Sequence, residues 1–130
     1  MSLSLEWSGN NTLVKITGTV TFMDLMNASN RVYGDGRFDE MNYQLIDLRE
    51  LQNIEVTRDD LKIFSAIDSK SCYWNDHLKI LCVTDNPDFI KMINIYKKFM
   101  ENTNWEIRIF DSIDAAFDWC KDLKKVDVNE

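Results

Sequence analysis

The chain has 130 residues, enough for one domain, spanning 1–130, with a hydrophobic core that needs no staples. Hydrophobic residues make up 45% and charged residues 28%, and the net charge of −7 opposes phosphate backbones and anionic lipid surfaces, which argues against nucleic acid as a partner. No apolar run approaches the ~20 residues that cross a bilayer, and three dispersed cysteines outside any C-x-x-C spacing suit a reducing, cytoplasmic setting.

Along the chain the hydrophobic period alternates between two and about 3.6. LSLEW (3–7) and TLVKITG (12–18) read as strands joined by a turn at Ser8-Gly9-Asn10-Asn11, an antiparallel hairpin. Thr21, with Asp24 three residues on, caps a helix whose apolar face carries Phe22, Leu25, Met26, Ser29 and Val32, and Tyr33-Gly34-Asp35-Gly36 ends it. Tyr43–Leu48 is a buried strand. Thr57-Arg58-Asp59-Asp60 opens a helix that turns Leu61, Phe64, Ala66 and Ile67 inward. Ser71–His77 is a loop, and LKILCVT (78–84) is a third buried strand. Asn86-Pro87-Asp88 starts a helix with an asparagine cap, a first-turn proline and an acid on the dipole. Its apolar face holds Phe89, Met92, Ile93, Tyr96, Phe99 and Met100. Trp105–Phe110 alternates as an edge strand with one wet face, and Ser112 caps a last helix carrying Ala115, Ala116, Trp119, Cys120 and Leu123. The order ββαβαβαβα predicts an α/β fold. Its five-stranded, mainly parallel sheet follows the sequence order behind the hairpin and is packed by four helices.

Three segments in this order resemble the SpoIIAA-like family, relatives of the STAS domains of anti-anti-sigma factors. LVKITGTVTFMDL (13–25) is similar to the family's strand-to-first-helix passage. LIDLRELQNIEVTRDDL (45–61) resembles the segment leading to the phosphoacceptor helix, and WEIRIFDSIDAAFDWC (105–120) resembles the family's ending. The family's phosphoacceptor serine sits in D-S-S-G, where this chain has Glu55-Val56-Thr57-Arg58. Members of the branch outside sporulation generally lack that serine, and their likeness to CRAL-TRIO folds points to apolar or lipid-like ligands. The resemblance implies a bacterial regulatory or ligand-binding module more strongly than a phospho-switch.

Ligands of α/β sheets gather where parallel strands end and helices begin. That rim should hold Asp47, Arg49, Asp85 and Asp111. These residues form either a polar site or the ordinary satisfaction of free backbone groups at strand ends. A receiver domain would need an acidic pair after the first parallel strand and a lysine after the last. Gly18-Thr19 and Phe110-Asp111 stand there instead, and neither a metal nor a cofactor is expected. Thr57 reads as a helix cap and, by the same position, as a phosphorylation site served by Arg58 or Arg49 and opposed by Asp59 and Asp60.

Cys72 and His77 fall in one loop, on the rim opposite the helix N-termini and with no third orienting group, so they read as structural. A lone histidine and the lack of a nucleotide-binding glycine pattern leave no catalytic residues to name, and no enzyme is expected. Helix 88–101 is apolar over a broader arc than one core face needs. With helix 21–33 it suggests an apolar pocket or partner surface at Phe22, Met23, Met26, Phe89, Met92, Ile93 and Tyr96, against the plainer reading that both helices are simply buried. The partners expected are an apolar small molecule and a protein, with a homodimer through exposed sheet or helix surface.

Overall fold

The computed structural model describes the backbone of residues 2–129 and the side chains of residues 2–122. It opens on the hairpin of β1 (Ser2–Ser8) and β2 (Asn11–Thr21). Ser8 pairs with Asn11, leaving Gly9-Asn10 as a two-residue turn. Gly9 takes φ +60° there, the backbone that a hairpin-compatible turn with glycine first requires.

Beyond the hairpin the sheet is parallel. β2 pairs with β3 (Tyr43–Asp47), β3 with β5 (Lys79–Val83), and β5 with β6 (Glu106–Phe110). The spatial order β1-β2-β3-β5-β6 follows the sequence, and β6 is the edge strand its alternation foretold. A sixth strand, β4 (Leu51–Glu55), adds to the five expected and lies off this path. It pairs in parallel with the far half of β2, from Gly18–Leu51 to Thr21–Glu55. β2 pairs with β3 only as far as Lys15, and from Gly18, at φ +75°, it pairs with β4, with a register shift between Gly18 and Thr19 where β4 carries the extra residue, Gln52.

Local chemistry starts each helix. In α1 (Phe22–Tyr33) and α2 (Arg58–Ser71) the capping threonine and the third-position aspartate exchange reciprocal bonds: Thr21 with Asp24, Thr57 with Asp60. Asn86 caps α3 (Pro87–Phe99), accepting from the N–H groups of Asp88 and Phe89. The Ser112 hydroxyl accepts from the Ala115 N–H at the start of α4 (Ile113–Asn129).

The helices divide unequally over the sheet. α1, α2 and α3 cover one face, where Val14, Ile16, Ile80 and Cys82 meet Val32, Phe89 and Ile93. α4 covers the other, with Ala116 and Cys120 against Leu45, Leu81 and Val83. Leu123 lies outside the described side chains.

One local expectation is corrected. Ala66 faces solvent, because the inward stripe of α2 runs Leu61, Phe64/Ser65, Asp68 and Ser71. The loop after α2 turns Tyr73 and Trp74 outward, at 89% and 65% exposure, and buries Asn75 instead. The Asn75 side-chain amide donates to the carbonyls of Phe38 and Met41, and the Asn75 backbone carbonyl accepts the Trp105 indole N–H at 2.7 Å. One asparagine thus ties the 3₁₀ segment Gly36–Glu40 to Trp105, the residue before β6.

Candidate functional site: a cavity under three helices

The face beneath α1, α2 and α3 is not filled. A cavity of about 160 Å³, partly open to solvent, remains between the sheet and the helices. Val14, Ile16, Ile46 and Ile80 form its floor; Leu25, Ala28, Leu61, Phe64, Met92 and Ile93 form its walls. The space arises because α1 presents Ala28 and Ser29, both small, to the branched side chains of the sheet. Close-packed interiors rarely leave a void larger than a water molecule. An apolar cavity of about this volume holds a benzene ring.

One end of the cavity is polar. Asp68 of α2 is only 3% exposed. The Tyr33 hydroxyl donates to one of its carboxylate oxygens, and the Tyr96 hydroxyl donates to the other at 2.5 Å. Three helices therefore converge on one acid. Burial pushes the Asp68 carboxyl up to about 6, against the two tyrosine hydroxyls, which favour the ionised form. Burial and the Asp68 charge raise both phenols well above their ordinary range. With Asp68 ionised, the cluster is one buried carboxylate held by two protonated phenols. Among the described residues no lysine, arginine or histidine pairs with it.

Of the apolar positions singled out in the sequence, Met92, Ile93 and Tyr96 line the cavity. Phe89 is buried in the core beside it, while Phe22 and Met26 are half-buried outside its lining. Met23 is 61% exposed, since the inward stripe of α1 runs Leu25, Ala28/Ser29 and Val32/Tyr33, and Met23 points away from it.

The polar rim is a set of separate local structures. Asp47, buried at the end of β3, accepts from the Arg49 backbone N–H at 3.1 Å and from two guanidinium nitrogens at 2.9 Å. Those bonds hold its carboxyl below the usual range and raise Arg49. Thr57 is exposed and engaged as a cap, and the Arg58 guanidinium lies 5.2 Å from the centre of the Phe99 ring. Asp85 and Asp111 are exposed. No three acidic, thiol or imidazole groups among the described residues converge as metal ligands would. The Cys72 thiol donates to the Asp68 carbonyl at 3.6 Å, and burial raises its pKa, which lowers its nucleophilicity. His77 pairs with Asp76 instead.

Sequence reasoning passed over Asp68 because it stands in SAIDSKS, where serines and a lysine suggest a solvated face. The available signal was register: Asp68 lies seven residues, two turns, beyond Leu61, on the inward stripe.

No family model and no curated protein matches the sequence. The fold does have solved counterparts. An uncharacterised protein of the DUF3478 family with a SpoIIAA-like fold, from Shewanella loihica, superposes with a TM-score of 0.58 at 16% identity over 91% of each chain. The anti-sigma factor antagonist SpoIIAA, in its unphosphorylated form, gives a TM-score of 0.62 at 7% identity, over 92% of this chain and 98% of its own. At such identities the shared property is the fold: this is an α/β chain with a SpoIIAA-like fold.

Proposed function

We propose that the chain is a non-enzymatic regulatory module that binds a small apolar molecule in the cavity beneath α1, α2 and α3. The observation that carries this reading is the cavity itself, about 160 Å³ walled almost wholly by apolar side chains from all three helices and the sheet. An occupant would touch three helices at once, so its binding would tighten their packing and present a changed outer surface to a protein partner. The description of SpoIIAA as an anti-sigma factor antagonist supports a regulatory role on this fold. No helix among the described residues is long and apolar enough to cross a membrane, which agrees with a cytoplasmic module. A guest that binds only the folded state must raise the melting temperature with concentration. Toluene should therefore stabilise the wild type and leave Met92→Lys, which puts a charge into the wall, unaffected. An equal response from a folded Met92→Lys variant would remove the cavity from consideration.

A second reading is a phospho-switch at Thr57. It draws support from the exposed groove beside the α2 N-terminus, where Arg58, Lys91 and Lys98 gather on an otherwise acidic protein. Phosphate on Thr57 would gain from these cations and the helix dipole, and would be opposed by Asp59 and Asp60. If the site is a switch, Thr57→Glu loses a partner that Thr57→Ala keeps; equal affinity of the two for that partner removes the reading.

A further inference from the structure

The polar end of the cavity is specific about what it would accept. Both phenol protons are committed to Asp68, so the oxygens of Asp68, Tyr33 and Tyr96 offer only lone pairs. A carboxylate can accept about four hydrogen bonds, and each tyrosine occupies one of these positions. The other polar side chains of the lining include Ser29 and Gln44, which are neutral, and the Cys82 thiol, which burial pushes up to about 12. None supplies a positive charge. A buried charge without a counter-ion is costly, and a hydrogen-bonding role alone would be met by a neutral amide. An anionic head group would meet a like charge here. An alcohol would donate one bond and leave the charge uncompensated.

We propose that the occupant is a small primary ammonium compound with an apolar body, its cationic head seated on Asp68 between Tyr33 and Tyr96. Three N–H donors would then face three oxygen acceptors contributed by α1, α2 and α3. The Phe64 and Tyr96 rings, 5.8 Å apart at this end, add aromatic surface of the kind that attracts cations. The cavity limits the body to roughly one six-membered ring with a one-carbon arm, since a void near this size takes benzene. This assignment rests on the cavity being a ligand site, and the experiment separates the two.

Calorimetric titration of the wild type and of Asp68→Asn with benzylammonium, toluene and benzoate tests it. The wild type should bind benzylammonium about tenfold or more tighter than toluene, the margin of charge-assisted hydrogen bonds, and should not take benzoate. Asp68→Asn should lose that margin while keeping its toluene affinity. Binding of benzylammonium without toluene, abolished in Asp68→Asn, also supports the assignment. Equal affinities for benzylammonium and toluene, a margin that survives Asp68→Asn, or preference for benzoate would overturn it and leave the cavity reading standing. Failure of both toluene and benzylammonium to bind overturns the assignment and the cavity reading together. If circular dichroism shows Asp68→Asn unfolded, Tyr96→Phe decides. It keeps the Asp68 carboxyl but removes one acceptor and one of the two hydroxyls that favour its ionised form, so it should weaken benzylammonium severalfold and leave toluene unchanged; unchanged benzylammonium affinity contradicts the proposal.

Discussion

Asp68 makes the stability of the protein depend on pH in a direction opposite to most carboxylates. Its folded value, about 6, lies above the ordinary 3.8, so between these limits the folded state holds more protons than the unfolded one. Stability then falls as pH rises through that window, by up to about 3 kcal/mol, and is fully restored below it. Asp47 and Asp35 are held below 3.8 by Arg49 and Arg37, so they stabilise the fold above that pH and withdraw this only in stronger acid. The windows do not overlap. Urea unfolding followed from about pH 4 to pH 7 should show the fall in the wild type and a flat profile in Asp68→Asn; matching profiles would mean the acid is not buried in a charged state. At Thr57 the expectation is smaller. Loss of the capping hydroxyl in Thr57→Ala should cost about 1 kcal/mol, read from the same urea midpoints.

At the scale of elements, the sequence was most informative where a local signal and a tertiary role coincide. The Thr21/Asp24 box, the Asn86-Pro87-Asp88 start and the alternation of β6 each carry their own instruction, and the structure follows all three. β4 was not legible. LQNIE pairs with a single neighbour and leaves Gln52 and Asn53 exposed, so its composition is that of a loop. What makes it a strand is the half of β2 from Gly18 on, which β3 does not pair, a fact about another part of the chain. Gly18→Ala tests this coupling. A Cβ at φ +75° is strained by about 1–2 kcal/mol, and hydrogen exchange should quicken in Leu51–Glu55 before it does in β5. Uniform protection at unchanged stability would show that β4 does not depend on the backbone of β2 at Gly18.

For the molecule as a whole, the candidate site was half readable for a physical reason. Met92, Ile93 and Tyr96 lie on a helix whose apolar arc exceeds one face, a property of a single segment. The cavity and its acid depend on three helices meeting, and no local pattern records how closely they approach. Ala28→Phe probes that space without adding charge. The ring should enter the cavity at a cost below about 3 kcal/mol and remove the toluene-dependent rise in melting temperature, whereas a retained rise would place the guest elsewhere.

The most direct measurement is a methyl-resolved NMR titration of the protein with toluene. Saturable shifts should appear at Ile16, Ile46, Ile80 and Ile93, which line the cavity, and not at Ile63, which is 52% exposed on α2. Shifts at Ile63 alone, or no saturable shift at the lining methyls, would contradict a cavity that takes a small apolar guest.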